Sequence, residues 1–408
     1  MSQPTVVDLA ILGGGCAGLS LARELASELP SERASGPDQS QVNCTVAVIE
    51  PRTTYEDDRS WCFWASDEVP ASDSIFSQIH HRWQHWRFGL ADQPVDTRQS
   101  PGLSYQYLRS ADFYQACSDS IAANDSVHLY LGQTVQTVLP VTAGWQITTN
   151  TQTFIAREVV DTRPPPPEQR AQATLQQVFL GVEIELATPM KASTDSVELM
   201  TDMRLVNGEF CFTYVLPYST TRLLVEVTFF ARKIPDMAVL ETTLKELLAA
   251  RGWSDARIVR RESASLPMGL PDVADKPGQP VRAGMGGGAL RASSGYGFLR
   301  IQRWAKRCAA HYLATGDVVG HPKPGIGWQW MDQLFLDVLA NEPALAPDLF
   351  DRLLGRTEPA RFVRFMNDEA TLIDCLKVIG CLPKRPFLRA LGKRVLPKRL
   401  LATMRVKS

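Results

Sequence analysis

Net charge is almost absent from this sequence: 43 Lys and Arg stand against 44 Asp and Glu over 408 residues, a formal balance of −1. With no global basic field to recruit nucleic acid, no nucleic-acid partner is expected. The eight cysteines, Cys16, Cys44, Cys62, Cys117, Cys211, Cys308, Cys375 and Cys381, form no CxxC pair and are scattered through apolar stretches. They read as reduced and buried, as in a cytosolic chain. His80, His81 and His85 have no cysteine or carboxylate at zinc-like spacing beside them, so no metal is expected. No stretch reaches the roughly 18 apolar residues of a membrane-spanning helix. The first apolar run, Val6 to Leu12, has no Lys or Arg before it and opens into glycines instead of a cleavage site, so no export signal is expected. Gly and Pro, 27 each, are too few for a collagenous or disordered chain.

What remains is a globular composition, 44% apolar and 21% charged. The length allows two or three domains and a large core. Val6 to Leu12 reads as a buried strand that runs into Gly13-Gly14-Gly15-Cys16-Ala17-Gly18. A helical pattern follows, with Leu19, Ala22, Leu25 and Ala26 inward. A polar loop is expected from Glu28 to Gln41, then a second buried strand, Thr45 to Ile49, closed by Glu50. This β-α-β unit argues for a parallel sheet. Gly13, Gly15 and Gly18 match GxGxxG in that setting: a tight turn, a close approach for a pyrophosphate, and a close helix–strand contact. Glu50 stands where a carboxylate accepts from ribose hydroxyls. The motif's place in the chain favours FAD over NAD, and the acid disfavours NADP.

Further along, a helix is expected from Ser110 to Ile121. Short strands follow at His128–Gln133, Val135–Leu139, Trp145–Thr149 and Thr153–Ala156, like a meander, with another strand end at Val159-Val160-Asp161. The run Pro164–Pro167 is a stiff connector and an expected domain boundary. Phe179–Leu186, Val197–Val206, Glu209–Leu216 and Arg222–Ala231 read as four strands, with a hairpin at Asn207-Gly208. A helix is expected over Ala238–Arg251 and another over Tyr296–Leu313. A second glycine cluster, Gly284 to Gly288, precedes that second helix, and from Met331 onward nearly everything reads as helix.

The expected class is α/β. A Rossmann-type FAD-binding domain is assembled from 1–75, 105–167 and 255–320, with an insertion at 76–104. A mainly antiparallel β substrate domain covers 168–254, and a helical C-terminal region covers 321–408. In Arg222–Ala231, Glu226 is the only carboxylate among Leu223, Leu224, Val225, Val227, Phe229 and Phe230. Alternation puts it on one face with Leu224 and Thr228. An apolar setting raises a carboxyl pKa and keeps the group protonated, the state a proton donor needs. A surface acid on a half-exposed strand fits the pattern equally well.

Several segments together resemble the bacterial lycopene β-cyclase family, which has a glutathione-reductase type flavoprotein fold. Asp58-Arg59-Ser60-Trp61-Cys62-Phe63-Trp64 is close to its DRTWCFW signature, and Leu108 to Tyr114 is similar to its IRSxDFY stretch. Asp161-Thr162-Arg163-Pro164 resembles DSRP, and Phe179 to Glu183 resembles FLGWE. Tyr214 to Pro217 followed by Leu224-Val225-Glu226-Val227-Thr228 resembles YxLP and (L/I)(I/V)EDT. Ser293-Ser294-Gly295-Tyr296 resembles STGY. Two departures stand out: Val227 replaces the family's second acid, and Glu262 to Met268 lacks the glycine of ExGxIPM.

The resemblance implies acid-catalysed, non-redox closure of the ψ-ends of lycopene or a related linear carotenoid to β-rings. Glu226 would be the proton donor. Reduced FAD would stabilise the cation, with NAD(P)H serving only to reduce it. Asp161, Gly286, Gly287, Gly288, Gly295 and Tyr296 would then lie along the cofactor. Arg59 and Arg109 either hold cofactor phosphate or bridge Asp58 and Asp112. Trp61, Phe63 and Trp64 would line the polyene site with Leu224 and Thr228, their rings facing developing positive charge. Such a substrate dissolves in a bilayer, so a lipid surface is an expected partner, at the cytoplasmic face of the cell membrane. Lys384 to Ser408 carries nine basic residues and no acid. Leu388, Leu391, Val395, Leu396, Leu400, Leu401 and Met404 are interleaved, as in a basic amphipathic helix on anionic lipid; a solvated C-terminal helix docked by its apolar side fits the same pattern. A flavin monooxygenase or a prenyl-chain reductase shares the expected fold.

Overall fold

The computed structural model describes residues 3–30, 44–67, 75–191, 193–271 and 278–395. Most of the loop expected from Glu28 to Gln41, and Leu396, Leu400, Leu401 and Met404 of the tail, lie outside the described residues.

The first sheet is built on the N-terminal unit. Strand Thr5–Leu12 lies between Val46–Ile49 and Thr153–Asp161, parallel to both, and Val127–Tyr130 extends the parallel set at one edge. Strands Gly144–Thr149 and Val135–Val141 complete it as an antiparallel pair, and Val281–Arg282 pairs with Thr153–Asp161. Two expectations change here. The segments at Thr153 and Val159 are one continuous strand, and the segment near His128 is a parallel edge strand, not part of the meander. Period-2 pattern alone does not separate a parallel edge from a hairpin neighbour. Helices Cys16–Glu28 and Phe298–Thr315 cover this sheet, with Leu19, Ala22, Leu25 and Ala26 all buried against it.

The second sheet runs Arg257–Met268, Leu175–Glu185, Arg222–Ala231, Glu209–Pro217, Ser196–Val206, His85–Leu90 and Asp96–Gln99. Asn207 and Gly208 close its central hairpin with φ of +53° and +84°, the left-handed pair that a type I′ turn requires. Strand Arg257–Met268 forms the edge of this sheet, so the expected division after 254 falls inside the sheet. One face packs on helix Met237–Ala250 through Val178, Leu180, Val225, Val227 and Phe229. The other face meets a small third sheet, Ser60–Ser66, Leu103–Arg109 and His81–Trp83, and the C-terminal helices. Among the described residues no helix is long and apolar enough to cross a membrane.

Candidate functional site

The glycine turn ends strand Thr5–Leu12. Gly13 has φ +97°, and a Cβ on Gly18 would stand 1.9 Å from the Gly13 carbonyl oxygen, so only glycine permits this helix–strand contact. Gly15 caps helix Cys16–Glu28 and borders open space. That is the cradle a pyrophosphate needs at a helix N-terminus. Glu50 is buried at the end of its strand. The Gly14 N–H donates to it at 2.6 Å, and Arg52 donates from its backbone and Nε at 3.0 and 2.7 Å. Tyr55 donates to the Gly14 carbonyl at 2.9 Å.

The second glycine cluster forms a tight turn, Gly284–Gly287, with Gly288 just after it. The Gly284 N–H donates to His321 Nε2 at 3.0 Å. Burial, with Arg300 and Arg307, holds His321 down at about 3, so the ring stays a neutral acceptor. Asp161, Arg163, Arg282, the prolines 164–166 and Gly286 enclose a cavity of about 290 Å³. The donor set and open cradle fit a dinucleotide extended from Gly15 toward this turn.

A larger cavity, of about 610 Å³, lies between the second sheet and the C-terminal helices that cover this face. Alternation selects its floor: Gln177 and Phe179, then Glu226, Thr228 and Phe230, then Phe212 and Tyr214, then Glu262, Ala264 and Leu266. Glu226 and Glu262 stand on strands either side of Leu175–Glu185, and both are in register with Gly181. A Cβ on Gly181 would lie 2.6 Å from Glu226 Cγ, so the missing side chain is what lets the two carboxyl groups meet across the middle strand.

Burial pushes the Glu226 carboxyl well above the usual carboxylate range. The charge of Glu262 and a hydrogen bond with it push the same way, and Arg260 opposes them. Glu262 accepts from Ser60 Oγ at 2.9 Å and from Arg260, which also reaches Glu183. Beside the pair, Tyr105 Oη lies 3.0 Å from both Tyr214 Oη and Tyr296 Oη. Burial pushes all three phenols up, so they stay O–H groups. The arrangement is a neutral acid at the wall of an apolar, aromatic chamber.

The structure brings most of the expected residues to one of these two sites. Glu226, Thr228, Trp61 and Trp64 line the large cavity, and so do Gly295 and Tyr296, which were expected along the cofactor. Phe63 does not: it is stacked on Phe298 in the core beneath the first sheet. Leu224 shares the face of Glu226 but is packed beyond the cavity's end and fully buried. Arg59 borders the large cavity and donates to the Asp58 carbonyl at 2.6 Å. Arg109 pairs with Asp57 at 2.7 Å, not with Asp112. Asp161 is clasped by Arg163 at 2.7 Å.

The sequence pattern described as lycopene cyclase protein matches residues 8–392. The chain belongs to the lycopene cyclase family. It is 28% identical to a lycopene beta-cyclase of Pseudescherichia vulneris over 298 residues, 71% of this chain and 70% of that one. It is 24% identical to a lycopene beta-cyclase of Pantoea ananas over 405 residues, 94% and 97% of the two chains. Among solved structures it resembles a geranylgeranyl bacteriochlorophyll reductase-like protein of Thermoplasma acidophilum, with TM-score 0.57, 13% identity and 96% of each chain covered. It also resembles a flavoprotein/dehydrogenase of Cytophaga hutchinsonii, with TM-score 0.53, 13% identity and 92% and 99% covered. These likenesses show an α/β flavoprotein-type fold.

For a lycopene cyclase family member, the two departures from the family motifs now have places. Val227 points away from the cavity into the layer under helix Met237–Ala250, so the missing second acid does not leave a gap in the chamber. Ala264 stands at the missing glycine and adds a methyl group to the cavity floor. The sequence reading missed Glu262, Ser60, Arg260, Tyr105 and Tyr214. Of these, Glu262 had a signal: it heads the segment Glu262 to Met268 that was set against the family's ExGxIPM.

Proposed function

We propose that this protein is a lycopene β-cyclase that closes the ψ-ends of lycopene, or a related linear carotenoid, by protonation without net redox change. One observation carries the reading: a buried Glu226 carboxyl, set against Glu262 and pushed by burial well above the usual carboxylate range, at the wall of a cavity of about 610 Å³ lined by aromatic rings. A hydrocarbon offers no polar handle. It needs a strong acid, a dry chamber and something to hold positive charge.

Glu226 donates its proton to the terminal double bond. The internal double bond attacks the resulting cation and closes the ring. Loss of a ring proton to the carboxylate pair restores neutrality, so one proton enters and one leaves. Glu262, held by Arg260 and Ser60, keeps the shared proton on the Glu226 side that faces the cavity. The newly formed Glu226 carboxylate stands beside a second carboxylate, which favours taking a proton back. Trp61, Trp64 and the three phenols line the chamber, and their rings and oxygens would stabilise the cation. The cradle at Gly15, Glu50 and the Gly284–Gly287 turn would hold FAD, whose reduced form supplies negative charge near the chamber. NAD(P)H belongs to the proposal as the reductant. The protein would work at the cytoplasmic face of the cell membrane, where the polyene is dissolved.

An anaerobic incubation with lycopene, FAD and NADPH tests the reading by product mass. Unchanged mass with a bicyclic or monocyclic product supports it. A gain of oxygen in air or of hydrogens would replace it with a monooxygenase or a prenyl-chain reductase.

A further inference from the structure

Helices Leu372–Cys381 and Lys384–Val395 invert the ordinary surface pattern. A surface helix buries its apolar stripe and shows its charges to water. In the first of these helices Leu372 is 84% exposed and Leu376 68%, and Ile373 and Ile379 are exposed as well. Its one acid, Asp374, is turned inward, where Arg361 and Arg364 donate to it at 3.0 and 2.8 Å. The next helix continues the pattern with exposed Leu388 and Leu391. Ile379, Leu388 and Leu391 also line the large cavity. The exposed apolar surface therefore runs without a break into the chamber that holds Glu226.

The exposed charges on these helices are of one sign. Lys377, Lys384, Arg385 and Lys393 are exposed around the apolar patch, Arg389 is exposed and paired with Glu342 at 2.8 Å, and neither helix presents an exposed carboxylate. A second copy of the chain would bring like charges together. Anionic headgroups fit the basic rim, and acyl chains fit the leucines and isoleucines inside it.

We propose that this helix pair seats on an anionic bilayer, so that the cavity mouth opens directly against the acyl chains and an apolar substrate enters without crossing water. The proposal rests on the cyclase reading for its purpose, but the binding it asserts is measured separately. It places the contact on Leu372–Cys381 as well as on the basic segment after it.

The test uses full-length, FAD-loaded protein and vesicles of phosphatidylcholine with or without phosphatidylserine, read by co-sedimentation. Turnover of detergent-dispersed lycopene is measured in parallel. The variant Leu372→Ser/Ile373→Ser/Leu376→Ser should lose about tenfold or more in vesicle partition. Lys377→Gln/Arg385→Gln/Lys393→Gln should lose the preference for phosphatidylserine, by about tenfold. None of these six residues lines the cavity, so turnover in detergent should match the parent. Parental partition in both variants would overturn the proposal. So would loss of binding only on deleting residues 396–408, or a parent dimer that the apolar variant converts to monomer without any change in partition. Absence of turnover in every protein would count against the cyclase reading and leave the sedimentation result standing.

Discussion

Two buried glutamates, one in each main sheet, are handled in opposite ways. Glu50 is 4% exposed and Glu226 7%. Glu50 sits at the end of a parallel strand, where three N–H groups converge on its oxygens. Glu226 sits mid-strand in an antiparallel sheet, and its main polar neighbour is another carboxyl group. At the first, the oxygens are engaged by donors; at the second, burial and a like group push the carboxyl toward its protonated form. Residue type and burial are the same, and the neighbouring donors decide the role.

The sharpest way to break the comparison is to remove the proton from one site only. Glu226→Gln should lower turnover by about 10²–10⁴-fold, with flavin binding unchanged in a fluorescence titration. Glu50→Gln should do the reverse. FAD affinity should fall by roughly 10–100-fold, and turnover at saturating FAD should stay near the parent value. If Glu50→Gln abolished turnover at saturating FAD, the division of labour would be wrong.

Gly181→Ala drives a methyl group against Glu226 Cγ, 2.6 Å from where it would lie. It should separate the pair, lower turnover by about tenfold and cost ~1–3 kcal/mol in thermal unfolding. Glu262→Gln has the smallest expected effect on the maximal rate, and its signature is the pH profile. Glu226 must be protonated to act, so activity falls as pH rises through its elevated pKa. Removing the neighbouring charge lowers that pKa, so the fall should move to lower pH, by about one unit or more. Cys62, Tyr105, Tyr214, Tyr296 and Arg59 line the same chamber, Arg260 reaches the pair through Glu262, and all six are unchanged in this variant. A profile that keeps its midpoint would remove Glu262 from the tuning of the acid.

The nucleotide end was legible in the sequence because its signals are local. GxGxxG, the strand before it and Glu50 lie within one β-α-β unit. Strand alternation put Glu226 on one face with Thr228 but left a half-exposed surface acid equally open; the family resemblance is what singled it out. Alternation did not say how far the cavity reaches, so Leu224 was included although the core closes over it. Phe63 was grouped with Trp61 and Trp64 by motif, yet its ring packs under the first sheet against Phe298. Glu262 was not paired with Glu226 because their meeting depends on register across a third strand and on a glycine in the middle. The cavity's outer wall comes from helices beyond residue 330, and no local pattern ties these to a strand at 226.

The central claim is that a carboxyl proton enters the product and another leaves it. Anaerobic turnover of lycopene in deuterated water, read by mass spectrometry, tests this directly. The account predicts one deuterium gained per ring closed, and about 10²–10⁴-fold less cyclic product from Glu226→Gln. A cyclic product without deuterium, or equal labelling from Glu226→Gln, would contradict it.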